Sequence, residues 1–277
     1  MTRILGIFSS IAATRAVLAG VWALRLSILA FTIVPMVVIV WLSFSADTFT
    51  RIPPDSYSLH WYAQALSDGR LIDGFLLSIQ IAVMSALIAL GTGTLAAYGL
   101  WRYRLVGSRL IATLVSLPVV IPTVVTGLAF LGLFSRLGMY DAFLNIVLGH
   151  VVIALPFAFR SVVVAFARYN ARLDEAAASL GANGWRVFIN VTLPQVRPGI
   201  FAGGLFAFVV SFDDFNIAAF LVDAETVTLP VSMYQYLLWL MDPTLTAVSA
   251  MVTLLTVIGA VIIHRWIGLG RLLGVDI

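Results

Sequence analysis

Six stretches of about 20 apolar residues each, at 26–44, 75–100, 110–134, 143–166, 200–222 and 246–266, leave this chain few ways to fold. Water does not tolerate so much apolar surface on a chain of 277 residues, of which 61% are hydrophobic and only 10% charged. The mean hydropathy of +1.06 says the same. A hydrocarbon core about 30 Å thick takes roughly 20 helical residues per crossing, and backbone polar groups in lipid need internal partners. Alternating strand patterns are absent, so the chain reads as an all-α polytopic membrane protein with six transmembrane helices.

Orientation follows from the basic residues, all of which are arginine. With the N-terminus inside, Arg51, Arg70 and Arg136 alone fall outside, and the arginines beyond the spans otherwise collect on the cytoplasmic face. Both termini are therefore expected in the cytoplasm. The net charge of +3 reflects this topology and calls for membrane lipid, with no nucleic-acid partner. Residues 1–25 read as a cytoplasmic or interfacial segment, with Arg15 interrupting the weaker apolar run 4–24. The first strong apolar run is long and lacks a small-residue cleavage site, so no cleavable signal peptide is expected. Residues 26–268 form the membrane domain, and 269–277 form a cytoplasmic tail. In the outer loop after the first span, 58–62 reads as a short helix start whose aromatics anchor at headgroup level. The loop 223–243, with Tyr234, Tyr236 and Trp239, is expected to lie along the interface.

Several chemistries are excluded. With no lysine, the chain contains no phosphate-binding loop ending in Gly-Lys-Ser/Thr, so any nucleotide hydrolysis belongs to another polypeptide. With no cysteine there are no disulfides, thiolate metal sites or cysteine nucleophiles. His60, His150 and His264 are too dispersed to suggest a metal site. Neither a nucleophile elbow nor an H-E-x-x-H helix occurs. No catalytic residue, metal or cofactor is assigned to this chain.

Two features stand out against the apolar background. Asp213 and Asp214, flanked by Phe212 and Phe215, lie inside the fifth apolar stretch, where a carboxylate costs about 2.5–3.5 kcal/mol on insertion scales. They line a pathway for a cationic solute, or they make an interhelical pair with a partner such as Arg160, which can also snorkel to the cytoplasm. Prolines at 118, 122 and 156 fall within spans and favour kinks. Gly199, Gly203 and Gly204 permit close helix approach.

The second feature is the segment 175–194, EAAASLGANGWRVFINVTLP, a polar helix-turn-helix on the cytoplasmic side and a rigid knob shaped for a partner's grip. Its Glu175, Ala176, Ala177, then Gly181, then nine residues to Val191, with Leu193 and Pro194 following, resembles the EAA motif of permease subunits in bacterial ATP-binding cassette (ABC) importers. Val191 stands where the family pattern has isoleucine. The resemblance extends over nearly the whole chain from Leu26 onward. Ser43-Phe44-Ser45, His60-Trp61-Tyr62, Ser211-Phe212-Asp213-Asp214 and Leu229-Pro230 with Tyr234 bring it nearer the second permease of spermidine/putrescine-type importers.

The resemblance implies a type I ABC importer permease (MetI-like) fold in the bacterial cytoplasmic (inner) membrane. It also implies a second permease subunit, usually in a heterodimer, two ABC ATPase subunits that carry ATP with its magnesium, and a periplasmic or extracellular solute-binding protein. Residues 170–196 would be the coupling segment. In it a helix from Leu173 to Leu180 enters a cleft of the ATPase, Gly181 reverses the backbone, and Pro194 ends the second helical piece. The cargo implied is a small cation such as putrescine or spermidine. Related importers carry iron, opines, thiamine, phosphonates or amino acids. A stand-alone secondary transporter would be expected to show inverted repeats or further spans, and an intramembrane enzyme a convergent catalytic set.

Overall fold

A computed structural model of the chain describes residues 2–48, 51–103, 107–239 and 242–267. The expected tail, 269–277, lies outside them. Among the described residues there are helices and no strand, with one isolated antiparallel bridge between Ser45 and Tyr57. Two compact units are present: Met1–Ser67 with Met241–Gly259, and Asp68–Leu240 with Ala260–Ile277.

The first unit holds α1 (Thr2–Leu42), α2 (His60–Ser67) and most of α12 (Thr244–Ile267). The run 4–24 is not separate from the first span. It continues without a break into α1, whose 41 residues measure about 60 Å at 1.5 Å per residue. Every described side chain from Val17 to Val37 is exposed, the signature of a helix whose solvent is hydrocarbon or another subunit. The loop after α1 is stitched to α2: the Ser43 hydroxyl meets the Tyr62 hydroxyl at 2.6 Å and donates to Val40 O. Trp61 is buried, so this indole is a packing residue of its unit rather than a headgroup anchor.

In the second unit α3 (Gly69–Tyr103), α6 (Ala142–Phe166) and α9 (Leu193–Phe212) pack against one another. Their contact surfaces are built from small residues, as expected where lipid removes the hydrophobic drive and close backbone approach supplies the attraction. Ala86, Ala89, Ala154, Ala158 and Ala207 form one buried cluster. Gly199 shows why: a Cβ there would stand 2.6 Å from both Ser161 O and Ala165 Cβ on α6. The helix α11 (Leu229–Trp239) is two-faced, with Tyr234, Leu237, Leu238 and Trp239 exposed. It buries Leu229, Val231, Ser232 and Tyr236, and Leu229 N donates to Ser78 Oγ of α3 at 2.8 Å.

The six expected spans are not six uninterrupted helices. Among the described residues four helices are long and apolar enough to cross, namely Val17–Leu42, Gly69–Tyr103, Ala142–Phe166 and Gly184–Phe212. A bent pair would make a fifth. The third stretch, 110–134, is that pair: α4 (Ser108–Ser116) with a 3-10 turn (Leu117–Val119), then α5 (Thr123–Leu137), bent by 98°. Pro118 lies in the turn and Pro122 precedes α5, and each removes a donor and crowds the preceding residue out of helical geometry. Pro156 lies inside α6. The fifth stretch, 200–222, also breaks: α9 ends at Phe212 and the four-residue helix α10 begins at Ala218. The sixth stretch is covered by α12, whose 24 residues run from Thr244 to Ile267.

Candidate functional site

The segment 170–196 is held at its base by a polar clasp. After α6 ends at Phe166, Tyr169 donates its hydroxyl to Asp174 Oδ1 and stands 3.1 Å from Thr192 Oγ1. Burial and the Asp174 carboxylate push the phenol up to about 12, so it stays a donor at neutral pH. Asn170 N donates to Gln195 Oε1 at 3.1 Å. Trp101, at the end of α3, stacks on Phe166 with ring centroids 5.1 Å apart and meets Tyr169 edge-on at 4.4 Å.

On this base stands α7 (Arg172–Ser179), with Asp174 and Glu175 in its first turn, where the helix dipole favours negative charge. Asp174 is turned in to the clasp, and Glu175 and Ala176 are exposed. The helix closes in a Schellman turn: Ala182 N donates to Ala177 O at 3.1 Å and Gly181 N to Ala178 O at 2.9 Å. Gly181 takes φ +84°, the left-handed geometry that such a turn needs. Asn183 then caps α8 (Gly184–Val187), its Oδ1 accepting from Arg186 N at 2.9 Å. Leu180 at the tip is 89% exposed and Trp185 69%, an apolar pair on a polar support.

Pro194 does not end the second piece. Gly184–Phe212 runs on as one helical span through a π turn, Phe188–Thr192. Leu193 N bonds to Phe188 O, five residues back, and the widened turn admits Pro194 in the first turn of α9. Val191 and Leu193 are half-buried on this passage, and Thr192 between them is wholly buried. The knob is thus rigidly continuous with α9.

At the far end of α9 the two aspartates separate. Asp213 follows the last helical residue and its side chain is exposed. Aromatics crowd its neighbours: Phe212 meets Phe208 at 5.8 Å and Phe75 at 6.0 Å, and Phe215 meets Tyr234 at 4.9 Å. Asp214 is buried, and its Oδ2 accepts Ile217 N at 2.8 Å and Ala218 N at 3.3 Å, which starts α10. The side chain facing Asp214 across the packing is His150 of α6, Nε2 to Oδ2 3.4 Å, and not Arg160. Arg160 Nε donates instead to Ser116 Oγ at 3.3 Å.

Asn216, in the same break, donates to Thr123 Oγ1 at 2.8 Å at the start of α5. The two interrupted spans therefore meet at their interruptions. Irregular backbone at membrane depth is tolerated where it is buried in protein or lines a cavity. The sequence reading missed Tyr169, Asp174, Gln195, Ser211 and His150. Asp174 beside Glu175 was a visible signal, whereas His150 and Ser211 become partners only through packing.

Comparison with known proteins places this geometry. Residues 89–269 match the model of a family described as "Binding-protein-dependent transport system inner membrane component". The putrescine transport system permease protein PotI of Escherichia coli strain K12 is 30% identical over 259 residues, covering 90% of this chain and 91% of the relative. The spermidine/putrescine transport system permease protein PotC of the same strain is 27% identical over 237 residues, covering 86% and 88%. Among solved structures, a chain of a bacterial ABC transporter involved in the import of the acidic polysaccharide alginate superposes with a TM-score of 0.64 at 19% identity, over 96% of each chain.

Proposed function

Because this chain belongs to the family of binding-protein-dependent transport system inner membrane components, we propose that it is one of two membrane subunits of an ATP-driven importer for a small organic cation of the putrescine or spermidine type. In this reading the second permease is a similar chain, two ATPase subunits bind the cytoplasmic face, and an external solute-binding protein delivers the cargo. Both termini lie in the cytoplasm. Nucleotide chemistry belongs to the ATPase, and this subunit supplies the path and the lever.

The observation that carries the coupling role is the knob itself. It pairs an exposed apolar tip, Leu180 and Trp185, with a base clamped by Tyr169, Asp174 and Gln195, and it is continuous with α9. A push on α7 is delivered along α9 to the break at 213–217, since packed helical elements shift as rigid bodies. Leu180→Asp is expected to lower recovery of the ATPase with the purified permease about tenfold, because a carboxylate replaces an apolar side chain desolvated in the joint. Unchanged recovery contradicts the coupling role.

For the cargo, the supporting feature is the exposed Asp213 carboxylate with Phe212 and Phe215 beside it, since carboxylates and aromatic faces both attract ammonium groups. Asp213→Asn is expected to cut putrescine uptake about tenfold, one charge contact being on the order of 1.4 kcal/mol, while the assembled complex purifies in normal yield. Full uptake by this variant removes Asp213 from the path and opens the identity of the solute to the other cargoes that such importers carry.

A further inference from the structure

The geometry points to His150 as a positioning residue that staples both sides of the α9–α10 break and so keeps the Asp213 carboxylate uncovered. The ring is 1% exposed and reaches two polar atoms that flank position 213 in sequence. Nδ1 lies 2.8 Å from Ser211 Oγ, in the last turn of α9. Nε2 lies 3.4 Å from Asp214 Oδ2, just after the helix has ended. At that distance Nε2 faces the carboxylate oxygen at close range without a formed hydrogen bond. Next to the ring in sequence, a Cβ at Gly149 would meet the apolar side chains of Ile217, Leu221 and Phe130.

The physical effect follows from what Asp214 already does. Its Oδ2 accepts the backbone N–H groups of Ile217 and Ala218 and so directs the chain out of α9 into α10. Asp213 keeps helical geometry and bonds back to Val209 O. An α9 that simply continued would lay its next turn, residues 216 and 217, over the face that carries residue 213, because i+3 and i+4 neighbours share a helix face. His150 opposes that continuation by holding Ser211 before the break and Asp214 after it, both from one rigid position on α6. This role deepens the cation-path reading and rests on it for its purpose, although the geometry of the staple does not depend on the cargo.

The chain contains no cysteine, so Asp213→Cys gives this subunit a single thiol to report on its own exposure. The assembled complex carrying that substitution is treated with a membrane-impermeant trimethylammonium-ethyl methanethiosulfonate, and the rate of modification is measured on the isolated subunit. Adding His150→Asn, whose side chain reaches Ser211 and falls short of Asp214, is expected to slow modification at least tenfold. Adding His150→Gln, whose amide extends as far as Nε2, is expected to restore at least half the rate. Adding Ser211→Ala, a small apolar change that the fold tolerates, is expected to slow it about threefold. Equal rates in all four proteins overturn the staple, as does faster modification in His150→Asn. Should these rates change as expected while Asp213→Asn imports putrescine normally, the staple stands and the cation-path reading falls.

Discussion

Gly181→Val is expected to reduce uptake by the assembled importer about 100-fold while the protein still reaches the membrane and folds. The reason is backbone geometry and not crowding: a Cβ at position 181 would meet nothing within 4 Å, but φ is +84°. A β-branched residue in left-handed geometry is a genuine outlier, and such strain costs about 1–3 kcal/mol. At about 1.4 kcal/mol per factor of ten, the upper end depopulates the native turn by roughly 100-fold. Without the turn, Gly181 N and Ala182 N leave Ala178 O and Ala177 O, and α8 no longer stands in register beside α7. The effect stays local because the turn is exposed, so the spans keep their packing. ATP hydrolysis by the partner should then continue without transport. Gly181→Asn serves as the control, since asparagine tolerates left-handed geometry, and it should keep most of the uptake. Equal uptake in Gly181→Val and the parent would show that the turn transmits nothing.

Asp214→Ala should act on assembly instead. It strips the acceptor from two buried backbone donors, Ile217 N and Ala218 N, and removes the carboxylate that faces His150 Nε2. Each buried polar group left without a partner costs about 1–3 kcal/mol, so the total approaches the whole stability of an ordinary domain, about 5–15 kcal/mol. We expect the complex to be lost from the membrane, or its melting midpoint in detergent to drop by about 10 °C or more. Asp214→Asn keeps an oxygen that accepts both N–H bonds and should assemble. A normal midpoint for Asp214→Ala would mean that α10 starts by other means and that the two adjacent aspartates do not differ in role as their burial indicates.

That difference between neighbours separates what was legible in the residues from what was not. The helical class could be read from long apolar runs because lipid admits few backbone solutions. The knob was legible because Glu175 near the start of α7 and Gly181 at its turn act within a few residues of one another, so spacing alone encodes the geometry. The end assigned to Pro194 failed because a π turn upstream removes the clash, and π turns have no sequence period to detect. The third span bends beside Pro118 and Pro122, which favoured a kink, whereas the break inside the fifth span had no such marker. Apolar composition measures affinity for lipid and is blind to whether the backbone inside the run is continuous.

The amino-acid sequence by itself determined that this chain lives in a bilayer, has no lysine with which to build a phosphate-binding loop, and folds a short polar helix and turn near Gly181. All of these follow from local composition and short-range backbone geometry. Only the tertiary structure decided that Asp213 is open and Asp214 enclosed, that His150 rather than Arg160 faces the enclosed carboxylate, and that the broken third and fifth spans touch through Asn216 and Thr123. Those contacts join residues separated by 64 and 93 positions along the chain, and close packing of small side chains among α3, α6 and α9 brings them together.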